Sequence, residues 1–498
     1  MNGEFFAHIA HSLEQITGSL FYILPALGVI GTLLGVIVLS LFRLDKPLWW
    51  LSLGGLSSSL LLTGLSAWPD QQPGFDGLLM MDGPARYLQV LIVVGAIFSL
   101  LALRFRQAHH PQTRPELALI YLLTITLGAW FLAASQHLLM MYLAIEMMSL
   151  PAYLWTAWQK KKATAAEAGM KYVLFGGFSS ALMIYGLSWW YGLAGSFDLA
   201  NLSLVATDPA LTGPATGILI MVLLGLLFKT GAFPLHFWIP DVYQGAAYPV
   251  AAFFAVVPKA ASLLMMLRLV FSLTESAVGA NIQLFLLFIG LITMSWGNLA
   301  ALAQRNTPRL LAYSAIAHTG YLLVGVALGS VFGASAVLFY LGIYLLMKLG
   351  AFFVASTLDD QSGTSAWRNW SGVASDFPGL TIALVIFLIA LTGLPPTAGF
   401  VGKWYLILAL GEQNTVFPDF LPWLAIAVVV INTVISLYYY MKIPARMVFS
   451  QRNLADISPK KIPLYWGVTL GILCLPLLIG GVWGFDEVLN FLNRILWK

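Results

Sequence analysis

The sequence predicts an all-α polytopic membrane protein of about fourteen transmembrane helices. Three observations carry this. The 498 residues are 59% hydrophobic and only 9% charged, with mean hydropathy +0.85, whereas a soluble domain carries about 25% charged residues. Apolar runs of about 20 residues, the length a bilayer demands, follow one another between polar clusters. The runs are continuous rather than alternating, which excludes a transmembrane barrel.

The first three spans lie near 18–41, 48–68 and 87–103. Five more follow near 116–134, 137–158, 170–192, 214–234 and 247–271. The last six are near 281–304, 310–330, 333–356, 379–410, 420–442 and 463–484. The stretch before the first span holds Glu4 and Glu14 and no Lys or Arg. It lacks the basic start of a cleaved signal, so the first span is expected to insert and stay. Loops after odd-numbered spans hold 17 basic residues, and the opposite side with both termini holds 4. The positive-inside rule then places both termini outside the cytoplasm and requires an even span count. The tail, 485–498, alternates Val488, Leu489, Leu492, Ile495 and Leu496 with Asp486, Glu487 and Arg494. It reads as a short interfacial helix or, equally, as a frayed terminus.

Composition narrows the function classes. Cys474 is the single cysteine, so no Cys cluster can hold an iron–sulfur centre or zinc. No metal site and no nucleotide-binding glycine motif is read from the sequence. The net charge of +4 is spread over many short loops and points to no nucleic acid.

Five ionisable residues sit inside apolar segments: Glu146, Lys229, Lys259, Lys348 and Lys403. A charge at that depth costs about 2.5–3.5 kcal/mol on an insertion scale, and such residues default to function. Two of the segments are broken. Span seven runs into Lys229-Thr-Gly-Ala-Phe-Pro234, and span twelve contains Gly393-Leu-Pro395-Pro396 ahead of Lys403. Glycine and proline free backbone groups that hydrocarbon cannot satisfy, and paired breaks in two halves point to a transport site. Glu146 precedes Lys229 by 83 positions and His318 precedes Lys403 by 85. Spans four to eight and nine to thirteen thus read as two inverted five-helix repeats. The chain divides into 1–115 (three helices), 116–271 (first repeat), 272–442 (second repeat) and 443–498 (last span and tail).

Glu146 is mid-span, with Lys229 as its natural partner; the alternative is a static ion pair holding two helices. Burial favours a neutral lysine, so Lys259 and Lys403 can exchange protons. Lys348 could be functional, structural or snorkelling toward the interface. His318 and His236 could relay protons or could be hydrogen-bonded packing residues, and Tyr313, Ser314 and Thr319 could hold water near His318.

The run Gly231-Ala-Phe-Pro-Leu-His-Phe-Trp-Ile-Pro-Asp-Val-Tyr-Gln-Gly245, continuing through Pro249 to Lys259, resembles the antiporter-like subunits of type I NADH:quinone oxidoreductase, respiratory complex I. Glu167–Tyr172, Arg309–Tyr321 and Gly393–Lys403 agree, and the resemblance covers about 116–442. Within that superfamily the wording is most similar to the subunit N branch, as is lysine rather than glutamate in span twelve. The resemblance implies a fourteen-helix fold with two inverted repeats, and proton translocation driven by quinone reduction elsewhere. It implies that Glu146 and Lys229 are a coupled pair, Lys259 the central relay and Lys403 the terminal site. It places NADH, FMN, iron–sulfur clusters and quinone in other subunits, with neighbouring membrane subunits as partners in a bacterial inner membrane. Three departures stand out: Pro308 in place of a common lysine, Lys348 in place of a common asparagine, and Gly245-Ala-Ala-Tyr-Pro249 in place of Gly-Ala-Pro-Thr-Pro. A cation/proton antiporter or membrane hydrogenase subunit, a purely structural subunit and an independent transporter are the alternatives.

Overall fold

The computed structural model describes residues 17–42, 45–65, 72–109, 114–158, 163–363, 365–412, 416–451, 462–482 and 485–496. The acidic stretch with Glu4 and Glu14, and the loop cations Arg43, Lys160, Lys161, Lys162, Arg452, Lys460, Lys461 and Lys498, lie outside the described residues. Helices α1 (Leu24–Leu41), α2 (Asp45–Leu65) and α3 (Gly83–His109) come first. An antiparallel hairpin of β1 (Gln72–Gly74) and β2 (Leu79–Met81) joins the last two. There follow α4 (Pro115–Ala134), α5 (Leu138–Thr156), α6 (Ala163–Ala194), the short α7 (Leu202–Ala206), α8 (Thr212–Thr230), α9 (Trp238–Gly245) and α10 (Tyr248–Phe271). Then come α11 (Ala277–Leu302), α12 (Thr307–Ala327), α13 (Val331–Ser362), α14 (Pro378–Thr392), α15 (Ala398–Gly411), α16 (Phe420–Phe449), α17 (Leu464–Ile479) and α18 (Phe485–Leu496).

Among the described residues, 12 helices are long and apolar enough to cross a membrane. The apolar α14, α15 and α17 are shorter. The molecule is thus an all-α polytopic membrane protein. Its centre is built by three helices whose most apolar stretches are 100% (α10), 94% (α12) and 89% (α13) buried, against 28% for α16 on the outside. Helix α10 touches α3, α4, α5, α8, α9, α11, α12 and α13. Small residues let the central backbones approach: a Cβ added at Gly320 of α12 would lie 2.3 Å from the Met294 nitrogen of α11.

Several helices outrun the apolar runs that announced them. Helix α6 starts at Ala163 rather than near 170, because Ala163-Thr-Ala-Ala-Glu-Ala is a run of helix formers and Glu167 pairs with Lys171 one turn on, at 2.6 Å. Helix α13 continues to Ser362 and α16 to Phe449. Neither the hairpin nor α7 and α9 was expected from hydropathy. The tail is helical: Leu489 and Leu492 of α18 are buried while Val488 and Phe491 face outward, and Ser335 of α13 donates to Asn493.

Candidate functional site: a buried lysine and tyrosine network

Both predicted helix breaks are present. Helix α8 ends at Thr230, and Gly231 adopts the left-handed conformation (φ 74°) that a side chain disfavours. The carbonyls freed at this end are taken up by the protein: Gly231 and Ala232 nitrogens donate to Phe228 and Leu227, Trp238 Nε1 donates to the Phe228 carbonyl at 3.1 Å, and Thr319 Oγ1 donates to the Thr230 carbonyl at 2.8 Å. The second break follows the same plan. Helix α14 ends at Thr392, Gly393 is left-handed (φ 80°), and α15 resumes at Ala398. The Phe233–Pro234 and Pro395–Pro396 bonds are cis. Pro234, Pro395 and Pro396 lie exposed within the breaks.

Each break carries a lysine close to a helix C-terminus, whose dipole favours a cation. Lys229 lies in the last turn of α8. Lys403, on α15, reaches back across its break and donates to the Thr392 carbonyl at 2.8 Å. Its amine also sits 4.4 Å from the centre of the Tyr321 ring.

Lys229 is buried, and its amine has no hydrogen-bond partner among the described residues. The faces of Tyr153 and Tyr172 flank it, each ring centre 5.8 Å away. Glu146 is half-buried on α5 and accepts a hydrogen bond from Ser180 of α6. No direct ion pair joins Glu146 to Lys229.

Helix α12 is the rail on which the central groups meet. Lys259 of α10 donates to the Ala315 carbonyl at 2.7 Å and lies 3.5 Å from the Tyr344 hydroxyl. Lys348 of α13 donates one turn away, to the Leu311 carbonyl at 2.9 Å and to Ser314 Oγ at 2.6 Å. Ser314 is hydrogen-bonded to the Tyr440 hydroxyl, which is 3.5 Å from His318 Nε2. The other ring nitrogen of His318 bonds the Tyr340 hydroxyl at 2.8 Å. The His318 ring also lies 5.3 Å from that of Tyr344, which Lys259 shares, and 6.0 Å from that of Tyr321, which Lys403 shares. His318 thus adjoins side chains that touch Lys259 and Lys403, and it reaches Lys348 through Tyr440 and Ser314. Lys348 has 0% exposure, so it does not snorkel.

His236 stands apart. It is buried beside Phe233, Phe237 and Trp296, and neither ring nitrogen has a partner among the described residues. Of the expected water-holding residues, Ser314 is a link in the network and Thr319 ties α12 to the first break. The sequence reading missed Tyr340, Tyr344 and Tyr440. It also missed Asn298, whose side chain lies 3.5 Å from the Tyr321 hydroxyl, donates to Asn432 at 3.0 Å and accepts from Tyr439 at 2.9 Å. A polar amide in each of two apolar spans was the available signal. No group of three or more His, Cys, Asp or Glu that could hold a metal occurs among the described residues.

At one end of the molecule Asp241 of α9 binds Lys171 of α6 at 2.7 Å and Arg309 of α12 at 2.6 Å. Burial pushes the Asp241 carboxyl up, but these hydrogen bonds outweigh it and hold it below the usual carboxylate range.

Residues 135–436 match the family model described as NADH:quinone oxidoreductase/Mrp antiporter, transmembrane. The NADH-quinone oxidoreductase subunit N of Anaeromyxobacter sp. (strain Fw109-5) is 34% identical over 478 residues, 91% of this chain and 92% of the relative. A chain of respiratory complex I from Thermus thermophilus superposes with TM-score 0.76 at 28% identity, over 94% of this chain and 99% of that one. A chain of the membrane-bound sulfane sulfur reductase, an archaeal respiratory complex, superposes with TM-score 0.82 at 23% identity over 96% of both, which speaks to fold alone.

Proposed function

Since the chain belongs to the NADH-quinone oxidoreductase subunit N family, we propose that Glu146, Lys229, Lys259 and Lys403 are the proton relay of a membrane subunit in such a complex, with His318 and Lys348 as the links between them. The chain is the translocating part. NADH, FMN, iron–sulfur clusters and quinone belong to other subunits, and neighbouring antiporter-like and small membrane subunits are its partners. It lies in the bacterial inner membrane with both termini on the non-cytoplasmic side. Reading α14 and α15 as one broken span, and α17 as the last, gives fourteen spans, in which 116–271 and 272–442 are two inverted units.

The observation that supports this best is the continuous set of contacts running from Lys259 through Tyr344 and His318 to Lys348 on one branch and towards Lys403 on the other. An unpartnered ammonium in a low-dielectric interior is expensive. With Glu146 close, Lys229 holds its proton. With Glu146 bound to Ser180, Lys229 has no direct ion pair and gives its proton towards Lys259. Lys403 loads or releases at the far end, and a neighbouring subunit supplies the electrostatic push that moves Glu146. His236, without polar contacts to this set, is assigned to packing.

The test is Glu146→Gln, Lys229→Ala and Lys259→Ala in the assembled complex, in inverted membrane vesicles. Protons taken up per NADH oxidised should fall in each. An unchanged ratio in all three would refute the relay. The matching family model also covers Mrp antiporters, which keeps a cation/proton antiporter subunit as the second reading. Co-purification with antiporter subunits, rather than NADH dehydrogenase subunits, would favour it.

A further inference from the structure

A pocket outside the relay is lined by Trp49, Trp155, Trp158, Arg106, Gln107 and Arg114. Five helix ends meet there: the start of α2, the end of α3, the start of α4, the end of α5 and the start of α10. They all belong to one membrane face, so the pocket sits at the level of lipid headgroups rather than at mid-membrane. Indoles at that level are amphipathic anchors. Neighbouring Trp50, 62% exposed, carries Arg104 over its ring at 4.6 Å, which marks the same belt.

Neither pocket guanidinium forms an ion pair among the described residues. Arg114 is exposed and makes no hydrogen bond there either. Arg106 is half-buried, and its contact is with Ser356 Oγ at 3.4 Å, a neutral group. Arg114 is also the residue before the first turn of α4, whose free N–H groups open towards the same end. The carboxylate of that turn, Glu116, does not line the pocket. On the outer face of α5, four residues apart, Leu154 and Leu150 are 58% and 59% exposed. The pocket thus combines two guanidiniums with three indoles, and α5, which lends it Trp155 and Thr156, also carries an exposed apolar stripe. That matches a molecule with an anionic head and a hydrocarbon tail, and a free anion would leave the stripe unused. Basic pockets between transmembrane helices at this level suit anionic headgroups.

We propose that this pocket binds an anionic phospholipid, with Arg106 and Arg114 on the phosphate, the indoles around the glycerol region and the acyl chains along Leu154 and Leu150. The site is independent of the proton relay and lies on the face that the basic residues assign to the cytoplasm.

The test is native mass spectrometry of the chain purified, with its co-purifying subunits, in a mild detergent and delipidated. The complex is titrated with dioleoylphosphatidylglycerol, with dioleoylphosphatidylcholine and with inorganic phosphate. Wild type should take up phosphatidylglycerol in preference to phosphatidylcholine, and inorganic phosphate should not displace it. Each arginine near the surface should count for about 5-fold in affinity, so Arg114→Ala alone should weaken binding about 5-fold and the pair Arg106→Ala/Arg114→Ala about 30-fold. Arg106→Lys/Arg114→Lys should retain binding, because charge is kept. Arg114 is exposed, so its single variant decides the matter if the double variant does not assemble. Equal uptake of both lipids, displacement by phosphate, unchanged affinity in Arg114→Ala, or loss of a neighbouring subunit instead of a lipid in the variants would each overturn the proposal.

Discussion

The contact between Lys348 and Ser314 offers the sharpest test of the network. Ser314 Oγ accepts from the Lys348 amine at 2.6 Å and is bonded to the Tyr440 hydroxyl, which faces His318 at 3.5 Å. Ser314→Ala removes that oxygen and leaves the amine with the Leu311 carbonyl, 2.9 Å away. A hydrogen bond to a charged group contributes about 1.5–3 kcal/mol. Taken from the barrier of the transfer step, that is a slowing of about 10- to 150-fold along this branch. Tyr440→Phe removes the next link of the same chain. A chain cut twice is no slower than a chain cut once, so the double variant should match the slower single variant, giving a coupling energy close to the smaller single effect. The assay is the initial rate of NADH-driven proton uptake into inverted vesicles, normalised to assembled complex. A wild-type rate in Ser314→Ala, or single effects that multiply in the double variant, would refute the wire.

Three further perturbations follow from single sites. Lys229→Met should abolish pumping without lowering thermal stability, because the replaced amine has no hydrogen bond to lose; a drop of several degrees in Tm would instead identify Lys229 as a structural lock. Gly393→Ala should cost about 1–2 kcal/mol for the left-handed backbone, and its Cβ would lie 2.8 Å from Lys403 Cδ, so both Tm and pumping should fall; wild-type values in both would contradict that geometry. Asp241→Asn should cost about 1–3 kcal/mol near pH 7, through lost bonds to Lys171 and Arg309. The Asp241 carboxyl is held low in the folded protein, so its contribution is present above the ordinary carboxylate value and disappears as the pH drops through the folded one. The Tm gap between wild type and variant should therefore close on acidification and not on raising the pH; a gap that widens in acid would reverse the sign.

The features legible in the sequence were those that hydropathy makes conspicuous. A lysine in an apolar run stands out, so Lys229, Lys259, Lys348 and Lys403 could be named without coordinates, and glycine and proline announced both breaks. The connecting hydroxyls could not be named. The chain has 19 tyrosines, and nothing local separates Tyr440, which meets Ser314 across 126 positions, from those that face lipid. The same holds for Asn298 and Asn432, joined across 134 positions. Hydropathy also misjudged helix ends, because alanine, glutamate and lysine extend a helix beyond the apolar stretch, as at Ala163–Lys171 of α6. Glu146 and Lys229 were named as a pair on charge and on the family resemblance. Charge does not say which of several acceptors and donors wins, and here the hydroxyl of Ser180 holds the carboxylate.

Helix α10 is enclosed on every side by other helices, and Lys259 sits within it at 1% exposure. Traffic to that amine has no shortcut through the surrounding oil. In the proposed relay, every hydrogen ion it handles must be passed on by a neighbouring residue or by a solvent molecule let in through momentary gaps. Throughput should then be governed by how readily the barrel of helices breathes, so heating or stiffening the polypeptide ought to alter turnover more than changing the fluidity of the lipids around it.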